Sequence, residues 1–219
     1  MPEDDAAPSE RTRVRRGAPR AVYDRTHLLD ILAAGMVAHV GVLTDDGPLV
    51  LPMAYGHDDH RIFLHGAAGN GLLRAALGAQ VCVTVTLVDG LVIARTPFHD
   101  SMNYRSVVVR GLAEEVVGAD REKALRSITD HVVANWDTGR PPNAAELRRT
   151  LVVSLPLDEM SGKVRTGDPG DEDDDLYGPH WGGTVPLRRQ WGAPQPSEDL
   201  TRGIDPPAAV QALAGLTLP

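Results

Sequence analysis

The sequence predicts a mainly β domain with flanking helices, its strands closing into a barrel or split barrel. Three observations predict this. About seven apolar runs have strand length, most follow one another through hairpin-type turns, and helical patterns fall between groups of strands instead of after every strand. A parallel sheet would need a crossover helix after each strand, so an antiparallel barrel fits better.

The elements follow in order. Residues 1 to 22 are charged, carry Pro2, Pro8 and Pro19, and show no hydrophobic periodicity, so this arm is expected to be mobile. Asp24-Arg25-Thr26 offers a cap for a helix with Leu28, Leu29, Ile31 and Leu32 as its apolar stripe, ended by Gly35. Val37 to Leu43 and Leu49 to Tyr55 make a hairpin around Asp45-Asp46-Gly47-Pro48, and Arg61 to Leu64 extends it to a three-strand meander. Gly69 to Leu77 has helical spacing. Gln80 to Val88 is strand-like, and Asp89-Gly90 reads as a turn into Leu91 to Arg95. A strand is expected from Tyr104 to Val117 with a bend at Gly111, then a helix over Ala119 to Val133, a short helix over Ala144 to Arg149 and a strand over Leu151 to Leu157. Beyond it, Gly162 to Gly167 reads as irregular, Asp168 to Asp175 as a solvated acidic loop, Val185 to Leu187 as an edge strand, and residues 189–219 as a Pro-rich tail. The domain is therefore expected to span residues 23–188.

Bulk properties narrow the function. With 22 Lys and Arg against 30 Asp and Glu, the net charge of −8 argues against nucleic acid or an anionic membrane as partner. No apolar run reaches membrane-spanning length, and the acidic start lacks the apolar core of a signal peptide, so a cytoplasmic location is expected. Cys82 is the one cysteine, set in a strand-like run, which reads as a buried thiol. No GxSxG, HExxH or paired cysteines occur, so hydrolysis by serine or zinc is disfavoured. The acids at 168–175 lack the alternating spacing of a calcium loop, and His57 and His60 have no evident third ligand, so no metal is expected.

Two polar clusters carry the chemistry. Gly66-Ala67-Ala68-Gly69-Asn70-Gly71, between a strand and a helix, suits an anion, and Arg74 adds a cation one turn on. A plain strand-to-helix turn, or half of a dinucleotide fold with Asp89 on the ribose, are the competing explanations. His65 leads into the turn, either as a ligand contact or as a partly buried structural histidine. The second cluster, Phe98 to Ser106, packs a histidine, an arginine, two hydroxyls, an amide and a phenol between apolar runs, too polar for a plain connection. The two clusters are expected to form opposite walls of one site. Trp181, in a glycine-rich loop, is a core aromatic or a ring-stacking lid. A phosphate site with an apolar wall and no protein nucleophile suits an organic cofactor that carries the chemistry.

Several blocks in order carry a resemblance: Phe63-Leu64-His65-Gly66 with Leu72-Leu73-Arg74-Ala75, Val81 to Thr86 with Asp89 to Val92, Phe98 to Val108, Leu155 to Glu159 with Lys163 to Gly167, and Trp181 to Leu187. Over about Tyr23 to Arg188 the chain resembles the pyridoxamine 5′-phosphate oxidase-like flavoproteins, in the flavin-nucleotide-binding branch related to nitroimidazole-resistance proteins. The resemblance implies an FMN-binding split β-barrel that forms a homodimer with FMN at the subunit interface. It places Pro52, Met53, Ala54 and Tyr55 along the flavin, and His65, Gly66, Ala67, Ala68, Asn70, Gly71, Leu72 and Arg74 at its phosphate end. Ser101, Asn103, Tyr104, Arg105 and Ser106 would line the site, and Lys163, Arg165 and Trp181 would close over it.

The implied function is an FMN-dependent oxidoreductase in which the flavin exchanges a hydride with a small organic substrate, positioned by His65, Tyr104, Arg105 and Trp181. The alternative is a non-enzymatic flavin carrier or sensor, or a deazaflavin- or haem-binding relative. The chain departs from the family where serine usually follows His-Gly and Ala67 stands here. It also has Gly71 where a charged residue is common, and Gly162 and Gly182 where alanine is.

Overall fold

The computed structural model describes residues 6–218. Its strands are β1 (Ala21–Val22), β2 (Val37–Thr44), β3 (Gly47–His57), β4 (Arg61–Ala67), β5 (Gln80–Ile93), β6 (Ser101–Leu112), β7 (Glu114–Glu115), β8 (Thr150–Pro156), β9 (Met160–Arg165) and β10 (Gly183–Pro186). The helices are α1 (Arg25–Ala34), α2 (Gly71–Ala76), α3 (Ala119–Val132), α4 (Ala144–Arg148) and α5 (Ala208–Gln211). They form two compact units interleaved in sequence. The first comprises Met1–Gly35, Thr84–Val108 and Met160–Arg188, the second Met36–Val83, Val109–Glu159 and Arg189–Pro219. Residues 1–5 of the expected mobile arm lie outside the described residues. No helix among the described residues is long and apolar enough to cross a membrane.

In the second unit the expected meander forms. β2 and β3 pair from Val37↔Ala54 to Thr44↔Gly47, and Gly47 takes a positive φ of 113° that glycine adopts without strain. Asp58 makes the next turn, its Oδ1 accepting the amides of His60 at 2.8 Å and Arg61 at 2.7 Å. β4 then pairs antiparallel with β8, and β8 with β7. Helix α3 covers this sheet, burying Ala124 and Ile128 against Phe63, Val116 and Val152. Burial of each large side chain of this kind contributes about 1.5–3 kcal/mol. The helix approaches the sheet closely at Gly56, where a Cβ would stand 2.5 Å from the Ser127 carbonyl carbon and the Ile128 amide nitrogen. Next to it, Tyr55 is fully buried with its ring 4.5 Å from that of His131, and burial pushes its phenol above the ordinary range.

In the first unit β1, β9, β6 and β5 are neighbours in that order, with β10 on β5. Helix α1 is capped as expected, Asp24 accepting the His27 amide at 2.8 Å, and buries Leu28, Ile31 and Leu32.

Four expectations need correction. Asp89-Gly90 is not a hairpin turn: β5 runs unbroken through it, and its buried positions slip by one, from Val81, Val83, Val85 and Leu87 to Gly90 and Val92. Gly90 is required there because β10 crosses it, and a Cβ would meet the Val185 carbonyl oxygen at 2.6 Å. The polar elbow is shorter than expected, a 3-10 turn at Pro97–His99, and Ser101 to Ser106 already belong to β6, which ends at Leu112 before a separate β7. Gly162 to Arg165 lie in β9, whose register with β1 sets Gly162 opposite Val22. Within the acidic loop, Asp171 is not solvated: its side chain is 0% exposed.

Candidate functional site

In the second unit Pro52 and Ala54 face solvent on β3, and the glycine turn satisfies many of its own donors. The Ala68 amide donates to Arg149 O at 2.8 Å and that of Asn70 to Ala67 O at 2.8 Å. Asn70 Oδ1 accepts the Leu73 amide at 3.0 Å, and Arg74 Nε donates to Ala68 O at 2.7 Å. An alanine at Gly66 would crowd Leu73 Cδ1 at 3.0 Å and Asn70 Nδ2 at 3.1 Å. Ala67 and Gly71 are exposed and Leu72 is buried in the core.

His65 has a different environment. It lines a cleft of about 460 Å³ with Leu125 and Thr129 of α3, Trp136, Arg140 and Thr150. Its Nδ1 is buried with no hydrogen-bond partner, and burial lowers its pKa, so the ring is neutral at neutral pH. The segment carrying Trp136 and Arg140 is pinned from several sides. Asp130 Oδ1 accepts the Trp136 amide at 3.0 Å, Arg126 Nη1 holds Asp137 Oδ2 at 2.8 Å, and Arg140 Nη1 holds Glu146 Oε2 at 2.8 Å. The Arg140 hydrogen bonds, with the Asn143 amide, bring the Glu146 carboxyl down to about 2.

In the first unit Asn103 and Ser106 of β6 meet Arg165 and Lys163 of β9, while Trp181 makes no hydrogen bond with them among the described residues. Arg165 Nη1 donates to Asn103 Oδ1 at 2.5 Å and to Gly167 O at 3.2 Å, and Nη2 to Asp168 O at 3.1 Å. Ser106 Oγ donates to Lys163 O at 3.2 Å, while Lys163 Nζ reaches Arg16 O at 3.0 Å. Arg105 grips Asp89, with Nε 3.0 Å from Oδ2 and Nη2 2.7 Å from Oδ1, and the Asp89 hydrogen bond raises its pKa. Asp89 is thus the partner of Arg105. This pair lines a cleft of about 400 Å³ with Asn103, Thr166, Thr184 and Pro186. Trp181 is 63% exposed, its ring lying over Gly183, where a Cβ would come within 2.9 Å of the indole.

The loop before Trp181 is anchored by Asp171, which accepts the Arg95 amide at 2.8 Å through Oδ1 and Arg95 Nη1 at 2.6 Å through Oδ2. Gly182 leaves room for the pair: an alanine methyl would stand 3.0 Å from Nη1 and 3.3 Å from Oδ2. Burial acts to raise the Asp171 pKa, but the Arg95 amide and guanidinium outweigh it and hold the carboxyl below its ordinary value. A carboxyl depressed in the folded state contributes stability above its unfolded pKa, and that contribution is lost as pH falls through the folded value. Asp171→Asn should therefore melt below the wild type at neutral pH, with the gap closing in acid below the ordinary carboxylate range. Melting curves across that range check this.

Thr166, Thr184, Trp136 and Arg140 line these clefts without having been singled out in the sequence.

Known proteins of like sequence and structure place these features in a family. A family profile described as pyridoxamine 5′-phosphate oxidase matches residues 24–164. No curated protein matches the sequence. Among solved structures, the flavocytochrome Anf3 from Azotobacter vinelandii superposes with a TM-score of 0.90 at 36% identity, over 94% of this chain and 98% of that one. The FAD and heme binding protein from Mycobacterium smegmatis gives 0.85 at 32%, over 90% and 98%. A protein assigned to 5-nitroimidazole antibiotic resistance from Bacteroides thetaiotaomicron gives 0.55 at 25%, over 66% and 86%. The mainly β split-barrel class with flanking helices, expected from the sequence, is shared with these relatives. On a profile match across most of its length, and on likeness above 30% identity along nearly all of it, this chain belongs to the pyridoxamine 5′-phosphate oxidase family.

Proposed function

We propose that this chain is a flavin-dependent oxidoreductase, taking FMN or FAD and acting on a small organic substrate. The observation that carries the reading is its likeness, along almost the whole of both chains, to a flavocytochrome. The first unit's cleft fits such a group chemically, since Asn103, Arg105, Thr166 and Thr184 offer donors and acceptors beside the apolar Val185 and Pro186. A bound flavin supplies the hydride chemistry. The chain's own part is to orient: Asp89 fixes the Arg105 fork, and Arg165 and Asn103 brace each other through a hydrogen bond. A homodimer suits the exposed apolar side chains of β2 and β3, where Val37, Leu43, Val50 and Leu51 are open to solvent.

A second reading, favoured by His65, adds a haem. Relatives include a flavocytochrome and a protein that binds FAD and heme. A neutral histidine with an unpartnered ring nitrogen, beside Leu125 and Trp136, is the kind of group that holds haem iron in an apolar setting.

One set of spectra tests both. The purified protein, or protein titrated with FMN and FAD, should show flavin absorbance and quenched flavin fluorescence. Colourless protein with no quenching would sink the flavin reading. Added haemin should give a Soret band that His65→Ala removes and His99→Ala leaves, because His99 lies in the 3-10 turn with its Nε2 3.9 Å from Glu172. A Soret band that survives His65→Ala would overturn the haem reading.

A further inference from the structure

Pairing of β1 with β9 brings the residue just before β1 beside the end of β9. Arg20 closes the 3-10 turn at Ala18–Arg20, its amide donating to Gly17 O at 2.9 Å, and Ala21 then pairs with Lys163. Gly17 and Arg16 rest on the Lys163 side chain, so the turn's position is fixed from below as well as by the strand. The result is a polar cleft of about 330 Å³ lined by Arg20, Val164, Arg165, Thr166, Asp168 and Gly170.

Arg165 is unusual within it. The residue is 7% exposed, and every hydrogen bond its guanidinium makes goes to a neutral oxygen: Asn103 Oδ1, Gly167 O and Asp168 O. Its Nε is buried without a partner. A buried guanidinium normally ends on a carboxylate, because an uncompensated charge is costly away from water. Here the neighbouring charge is another guanidinium, since Arg20 works with burial to depress the Arg165 pKa. Two cations against one lining carboxylate, Asp168, leave the cleft short of negative charge.

We propose that Arg20 and Arg165 form a phosphate-binding site that takes the phosphate group of a small-molecule ligand. Arg165, rigidly held by neutral partners, supplies fixed charge. Arg20, exposed at the rim, supplies free donors, and the Thr166 hydroxyl adds another. The phosphate could be that of a flavin or that of a phosphorylated substrate, and the site stands whether or not the flavin reading does.

The test is calorimetric titration of the full-length protein, freed of any flavin, with inorganic phosphate and pyrophosphate against chloride at equal ionic strength. Saturable binding is expected, weakened about tenfold in Arg20→Ala, the loss of one charge-assisted contact, and largely kept in Arg20→Lys. Arg20 is exposed, so its removal leaves the fold intact. No binding beyond the chloride control, or equal binding by Arg20→Ala and wild type, overturns the proposal. Repeating the titration on flavin-saturated protein assigns the source, and either result supports the site. Competition marks the flavin's own phosphate, and unchanged binding marks a separate phosphorylated ligand.

Discussion

Replacing Gly56 with alanine is expected to lower stability by about 3 kcal/mol, the upper part of the range for overpacking a filled interior. The added methyl would lie 2.5 Å from two backbone atoms of α3 and 2.6 Å from Ser127 O. Backbone atoms inside a helix cannot rotate away as a side chain would, so α3 must lift from β3. That movement would disturb the packing of Ile128 and Ala124 on Phe63 and Val152. It would also disturb the Ser127 Oγ donation to His57 O at 3.1 Å. Urea unfolding of Gly56→Ala beside Gly69→Ala, where nothing lies within 4 Å of the new methyl, measures the effect. Equal midpoints for the two variants would show that α3 does not pack as described.

Gly90→Ala is the second large effect, near 2 kcal/mol by the same mechanism. Its methyl would meet Val185 O at 2.6 Å and Pro186 Cα at 3.1 Å, in the strand that lies on β5. Because β10 is short and largely exposed, the expected response is its detachment, not a shift of β5. Limited proteolysis should then cut near residues 183–187 in the variant and leave the wild type intact. Since Val185 and Pro186 line the Arg105 cleft, flavin affinity should fall as well. A variant as resistant as wild type would mean that β10 can yield without leaving.

Gly90 also shows where sequence reasoning stopped. Asp-Gly is strong turn chemistry, and a local reading has no access to a strand arriving from residues 183–186. What was local was legible: the Asp24 cap, the stripe of α1, the β2–β3 hairpin and the extent of α3 all follow from neighbouring residues. What depended on distant partners was not. Asp171 read as one acid in a solvated run because Arg95, its partner, is far off in sequence. Ser101 to Ser106 read as an elbow because their polar side chains are there for distant partners, Asn103 for Arg165 and Arg105 for Asp89.

The candidate site follows the same division. His65 stood out because it adjoins a glycine turn, whereas Trp136 and Arg140 arrive on an irregular segment with no periodicity to mark them. The glycine turn itself, read as an anion cradle, spends the Leu73 amide on Asn70 and the Arg74 Nε on Ala68. The uncompensated positive charge is found instead at Arg165, with Arg20 beside it.

The interleaving of the two units bears on how the chain comes to be folded. Each unit is assembled from three separate stretches, so no continuous piece of the polypeptide contains either one whole. During synthesis β1 and α1 emerge well before β9, the strand that pairs β1, and the first unit lacks its last segment until Arg188 has been made. Leu28 of its apolar helix lies against Gly162 of β9 and lacks that cover until β9 has been made. Such long-range closure is slow and exposes sticky intermediates, so this is a protein whose yield in the cell should depend on chaperones and on temperature more than its final stability would suggest.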